Sequence, residues 1–202
     1  MKPKQNTKIQ ESVELKPLQK EVIKVKIVGT TPLLMNKMDM QVVENINAKK
    51  SLKTTTKDSR DERDKVQDKI HHCADGTIGI PVAGFLKGMV ECAPYIDGLD
   101  KKRVMTSIRL QGEIVQLKYS KQTVHETWGR TSGQNKTPML IVRPRFHDWS
   151  VTLEILFNKS NISPEHIINV LNWAGFQMGV GAWRPQNGGT FGQYEVAINK
   201  KA

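Results

Sequence analysis

Gly179, Gly181, Gly188, Gly189 and Gly192 crowd into one short segment, with Trp183 and Arg184 between them. Glycine allows positive φ and lets a ligand come close to bare backbone N–H groups. Successive N–H groups can form a concavity for phosphate oxygens. Arg184 adds a charged fork and Trp183 a stacking face. The chemistry this suggests is non-covalent capture of a phosphodiester strand. A tight connection that needs unusual φ values also explains the glycines; the neighbouring Trp and Arg and the net charge favour binding. No Gly-Lys-Ser/Thr follows, so the segment is not a Walker-type nucleotide loop.

A second constellation is Arg143-Pro144-Arg145-Phe146-His147-Asp148-Trp149. Basic groups interleaved with aromatics suit single strands, because phosphates take the charge and bases take the stacking. Here Arg143 and Arg145 are the phosphate candidates and Phe146 the stacking candidate. The alternative puts Phe146 and Trp149 in the core, and Trp149 fits that role better. Thr127–Pro138 reads as a flexible polar loop whose Arg130 and Lys136 can reach phosphates. Lys87, beside Gly88, lies off the apolar side of its helix and is either a phosphate contact or a solvated lysine. His71-His72-Cys73 with Cys92 matches no zinc-finger or ribbon spacing, so no metal and no cofactor is expected.

These groups sit in a chain of 202 residues with a formal charge of +11, 38% hydrophobic residues and 25% charged. Residues 1–70 carry 16 basic and 10 acidic side chains, and residues 71–202 carry 15 and 10. The excess is therefore spread, not confined to a tail. A field of this sign favours a polyanion: RNA, DNA or an anionic membrane surface. Mean hydropathy is −0.47. No apolar run approaches the roughly 20 residues of a membrane span, and Met1–Lys20 lacks an apolar signal core. The expectation is an intracellular, cytoplasmic protein without a membrane partner. Two cysteines do not suggest a disulfide framework, and Cys92 reads as a small buried hydrophobe.

The elements that must position these residues can be read from periodicity. Residues 1–20 read as a flexible basic tail and 21–202 as one domain. Val22–Val28 alternates as a half-buried strand, ended by Gly29-Thr30-Thr31-Pro32. Leu33-Leu34-Met35 forms an apolar hook. From about 36 to 75 the sequence turns polar and short of aromatics, reading as an inserted arm with at most one helix, helix-permissive over Asp58–Lys69. Ile78–Ile80 is a short strand. Pro81 then takes the first helical position, and Val82, Phe85, Leu86, Met89 and Val90 form an apolar face before Pro94. Strands follow at Ile108–Leu117, Met139–Arg145 and Val151–Phe157. Ser163-Pro164-Glu165 opens a second helix with Ile167, Ile168, Leu171, Ala174 and Met178 inward. Tyr194, Val196 and Ile198 make the last strand. This order predicts an α+β fold, a ferredoxin-like or RRM-like βαββαβ core with two helices on one face of an antiparallel sheet. The other face is left open to a ligand. The plan serves many functions.

Three segments resemble the RAMP superfamily, the RRM-like backbone and processing subunits of CRISPR effector complexes. Gly29-Thr-Thr-Pro-Leu-Leu is similar to the family's opening hook. Ile80-Pro-Val-Ala-Gly-Phe-Leu-Lys-Gly-Met-Val is similar to its I-P-G-S-S-x-K-G-x-x-R step into the first helix. Gly179–Tyr194 is similar to its glycine-rich loop, which ends in Gly-aromatic-Gly before the last strand. Val82-Ala83 replaces the Gly-Ser-Ser-type turn, and Met89-Val90-Glu91 lacks the usual Arg. These departures suit a diverged relative, such as one encoded by a phage or mobile element. The resemblance implies that the loop lies against a nucleic-acid backbone and that Lys87 faces it. It also implies that the arm clamps a bound strand or a neighbouring subunit. By rough position, Asp39 and His71 match the aspartate or histidine with which some members cleave RNA, although no partner group for acid–base work is evident.

Three functions remain in view. The favoured one is a non-catalytic protein that coats single-stranded RNA or DNA by head-to-tail oligomerisation, as a homo-oligomer or within a ribonucleoprotein complex, with the strand along the open sheet face. The alternatives are a metal-independent endoribonuclease and a decoy that joins or caps a CRISPR complex.

Overall fold

The computed structural model describes residues 17–38, 43–44, 47–48, 61–130 and 138–197. Asp39, Lys136 and residues 1–16 of the basic tail lie outside them, as do residues 39–42, 45–46 and 49–60 of the proposed arm and the end of the last predicted strand. The described chain is a mixed α/β structure with three antiparallel sheets and three α-helices.

Strand β1 (Lys20–Gly29) turns Val25 and Ile27 into the core and Lys24 and Lys26 outward, as its alternation predicts. It pairs antiparallel with β9 (Ser150–Asn158) along nearly its whole length, Lys20 opposite Asn158 and Val28 opposite Ser150. Its other edge takes β10 (Tyr194–Val196), and β9 takes β5 (Ile108–Leu110), giving the order β10-β1-β9-β5. Helices α1 (Ala83–Cys92) and α3 (Pro164–Gln177) supply Phe85, Met89, Ile167, Val170 and Leu171 to one hydrophobic cluster with Val25, Ile27, Leu153 and Ile155. The Ser163 hydroxyl caps α3 by accepting from the His166 N–H at 3.2 Å. A cap of this kind contributes about 1 kcal/mol. Cys92 is buried, and burial pushes its thiol up to about 11.

Two smaller sheets flank this core. β2 (Leu33–Leu34), β8 (Pro138–His147) and β7 (Lys121–Arg130) lie side by side, as do β3 (His71–His72), β4 (Ile78–Pro81) and β6 (Ile114–Gln116). Here the structure departs from the sequence expectation in several places. Thr127–Arg130 is strand, not loop, because it pairs with 138–141 of β8. The strand expected at Ile108–Leu117 breaks at Gln111–Glu113, where Gly112 has φ +77, into β5 and β6 of different sheets. Pro81 ends β4 opposite Ile114 and does not open the helix. Helix α2 (Lys101–Ser107) was not foreseen, although Asp100 caps it, accepting from the Arg103 N–H at 2.8 Å. The end of the arm is anchored: Val66 and Ile70 are buried, flanking a 3-10 turn at Gln67–Lys69. Among the described residues, no helix is long and apolar enough to cross a membrane.

Candidate nucleic-acid interface

The glycine-rich segment is a wound turn between α3 and β10, pinned to the hook. Ala182 N–H donates to the Leu34 carbonyl at 2.8 Å and Gly192 N–H to the Pro32 carbonyl at 2.8 Å. Gly181 has φ +78, and a Cβ there would run into the Leu34 carbonyl oxygen. Gly189 crosses so close to the Trp183 backbone that a Cβ would overlap the Trp183 carbonyl. The amides of Gly179, Gly188, Gly189 and Gly192 donate to the carbonyls of Ala174, Pro185, Arg184 and Pro32. That corrects the idea of a phosphate nest at those four positions, because their N–H groups are already used. The winding gives these glycines a shaping role, and it presents Trp183, itself at φ +51, and Arg184.

The turn forms one wall of a cleft of about 440 Å³. Met35 of the hook, Asn36 just after it, His71 of β3, Ile80 and Pro81 of β4, Gly84 of α1 and Arg143 of β8 complete the described lining, with Val180–Arg184 and Asn187 opposite. None of these residues is acidic. Arg184 holds its guanidinium against Gln186, with Nε and Nη2 donating to Oε1 at 3.1 and 2.7 Å. Arg143 lies over the Trp183 ring, 5.5 Å from its centroid. Burial lowers the Arg143 guanidinium from its ordinary value. His71 is held below the usual imidazole value by burial, then by Lys37 and His72.

Lys87 is exposed on α1, one turn beyond Gly84, so it continues the same helix face outward from the cleft. Arg145 lies on the same face of the β7–β8 hairpin as Arg143 but is tied down, its Nε donating to Thr123 Oγ1 at 3.0 Å. Arg130 is exposed at the end of β7 and does not line the cleft. Phe146 is a correction: it is fully buried, edge-on to Tyr119 at 5.0 Å, and no base can stack on it. Strand alternation puts Phe146 on the opposite side of β8 from Arg143 and Arg145. Trp149 is core, and its Nε1–H donates to the Thr31 carbonyl at 2.8 Å. The open face of the four-stranded sheet also differs from expectation. Its outward residues on β1 and β9 include Lys24, Lys26, Thr152 and Glu154, and none of its described side chains is aromatic. A strand laid along that face would find nothing to stack on.

Sequence reasoning missed His125 and Phe191. His125 stands directly opposite Arg143, with its ring 5.0 Å from Phe191 and 5.9 Å from Trp183. Lys121–Arg130 carries no apolar–polar alternation to mark it as a strand, and only its pairing with 138–147 places His125 opposite Arg143.

No family model matches the chain, and no curated protein matches it. Among solved structures, it is similar to the crystal structure of Cmr6 from Pyrococcus furiosus, at a TM-score of 0.42 and 8% identity, over 90% of this chain and 100% of that one. A likeness that distant carries no argument about function.

Proposed function

We propose that this chain binds single-stranded nucleic acid in the cleft under the glycine-rich turn, as a non-catalytic, RAMP-like backbone protein that coats its strand head to tail. One observation carries the reading. The three segments that resemble the RAMP superfamily are far apart in sequence, yet all three meet at this cleft. The hook accepts N–H bonds from the turn at Pro32 and Leu34, while Ile80, Pro81 and Gly84 of the helix step line the cleft with Gly181–Arg184. Their meeting surrounds a space without acids among the described lining residues, bordered by Arg143, Arg184 and an exposed tryptophan edge, suiting a phosphate backbone with at least one stacked base.

The sheet order supports the same plan. With β1, β5, β9 and β10 as its four core strands, the order fourth-first-third-second and the helices on one face agree with a split βαβ core. The β2–β8–β7 and β3–β4–β6 sheets are then insertions that wall the cleft. The basic tail and the arm over about 36–75 are proposed as clamps on the strand or on a neighbouring copy. Titration of labelled poly(dT) and poly(U) at two salt concentrations tests the reading. Binding that weakens steeply with salt is expected. No binding by micromolar protein at low salt would sink it.

A second reading rests on one specific observation. His71, matched by resemblance to a cleavage histidine, lines this same cleft and favours the neutral form a general base needs. Cleavage of RNA at one position in the presence of a chelator, lost in His71→Ala, would establish it; intact RNA after prolonged incubation would remove it.

A further inference from the structure

The β7–β8 hairpin holds two half-buried side chains with ring or guanidinium nitrogens that are buried and unpaired. His125 Nε2 and Arg143 Nε and Nη1 are buried without a hydrogen-bond partner, and the two residues are direct cross-strand neighbours on one face. Native structures leave few buried polar atoms unpaired, and an uncompensated buried charge is the costliest kind. The next pair along the hairpin behaves differently. Arg145 and His147 both bond Thr123 Oγ1, at 3.0 and 2.9 Å.

The surroundings hold these two groups in place without satisfying them. Trp183 covers the Arg143 guanidinium and meets the edge of the His125 ring, and Phe191 packs against that ring. Trp183 does so from a left-handed backbone conformation, which costs energy and persists mainly at functional sites. Arg143 also lines the cleft. A ligand that satisfies the pair must carry negative charge and at least two acceptor oxygens, one for each side chain.

We infer that His125 and Arg143 together form a phosphate subsite, roofed by Trp183, that takes one phosphodiester of the bound strand. The identity of the ligand rests on the strand-binding reading; the site itself does not. Arg143 supplies the charge, and His125 donates through Nε2–H. Burial, then Arg145 and Arg143, oppose protonation of His125. His125 therefore bonds the phosphate without adding a second charge at pH 8. The two residues then leave different signatures. Loss of Arg143 removes one ion pair and lowers the salt slope; loss of His125 weakens binding at an unchanged slope.

The test uses full-length wild type, Arg143→Met, His125→Ala and, as control, Arg109→Gln, whose guanidinium bonds the Met105 and Ile108 carbonyls outside the cleft. Anisotropy titrations with dT and U oligonucleotides across a salt series at pH 8 give affinity and slope. Arg143→Met is expected to bind about tenfold or more weakly at low salt, with the slope reduced by about 0.7. His125→Ala is expected to bind a few-fold more weakly at the wild-type slope, and Arg109→Gln as wild type. Thermal melts with inorganic phosphate, against chloride of matched ionic strength, form the second arm. Phosphate should raise the wild-type melting temperature and leave that of Arg143→Met unchanged. Without ligand, Arg143→Met should melt no lower than wild type, because it loses an unpaired charge. If Arg143→Met binds oligonucleotide with wild-type affinity and slope, the subsite is wrong and strand binding survives. If wild type binds no oligonucleotide yet is stabilised by phosphate through Arg143, strand binding is wrong and the subsite survives. If neither ligand is bound, both fall.

Discussion

The open face of the four-stranded sheet and the cleft under the glycine-rich turn are both basic, yet their charges are used differently. On the sheet, Lys24 reaches Glu154 at 2.7 Å, and Arg109 is bound to backbone carbonyls. In the cleft, Arg143 is held against Trp183 with buried nitrogens unpaired, and no acid lines the wall among the described residues. Net charge therefore says little about where a polyanion binds. What separates the two regions is whether buried guanidinium nitrogens are left unpaired and whether an aromatic face stands beside the cations. In this respect the sheet face is an ordinary solvated surface, whereas the cleft keeps guanidinium nitrogens unpaired beside an aromatic ring.

Reversing charge in each region tests that contrast most severely. Arg143→Glu with Arg184→Glu should weaken oligonucleotide binding by about a hundredfold or more at low salt, because two phosphate contacts become repulsions. Lys24→Glu with Lys26→Glu should cost only a few-fold, through the overall field. Equal losses in the two double variants, measured by anisotropy under one salt condition, would erase the distinction.

The aromatic half of the contrast is tested by two truncations. Trp183→Ala should lose about 1–3 kcal/mol of strand binding, the usual worth of one stacked base, with a small change in denaturant midpoint. Phe146→Ala should do the reverse. It opens a cavity in the core and should cost about 3–5 kcal/mol of folding stability, with binding by the folded fraction unchanged. Urea melts and titrations on the same preparations decide between the roles.

That pair also shows what the sequence made legible. Arg143–Trp149 announced basic and aromatic residues, but side-chain direction depends on which strand they occupy and on what pairs with it. Alternation in β8 sends Arg143 to the cleft and Phe146 to the core. The core strands β1 and β9 and the helices α1 and α3 were readable because burial imposes a clear period. β7 was not, because its burial alternates only between exposed and half-buried and its polar residues resemble a loop. Missing β7 meant missing His125 and its register opposite Arg143. The glycines stood out in the sequence, but the amides of Gly179, Gly188, Gly189 and Gly192 are consumed by α3, the turn's own carbonyls and the hook, and the hook is a tertiary contact that local sequence does not announce.

Protonation gives a gentler test. His71 and His125 both sit below the ordinary imidazole value of 6.5, chiefly because of burial. The unfolded chain therefore binds more protons than the folded one as pH falls through that value, and stability should decline between about pH 7 and 5. Binding should move the other way. A bound phosphate favours the imidazolium, protons are taken up on binding, and affinity should rise about threefold from pH 8 to 6. His71→Gln with His125→Gln should flatten both trends. A pH-independent wild type would mean that neither ring faces the ligand.

The smallest expected effect is on the sheet. Lys24→Gln removes one exposed ion pair with Glu154, and such pairs contribute little because solvent screens them and ordering two long side chains opposes them. The Glu154 hydrogen bond and charge raise Lys24 above its ordinary value. That shift reports a contact in water, not a buried interaction. The denaturation midpoint should therefore barely move, and strand affinity should change by less than about twofold. A near-zero result has content here. A lysine that carried a phosphate would lower the salt slope when lost, whereas a lysine already paired with Glu154 leaves it alone. A measurable fall in slope for Lys24→Gln would put the strand on the open sheet face and move the site away from the cleft.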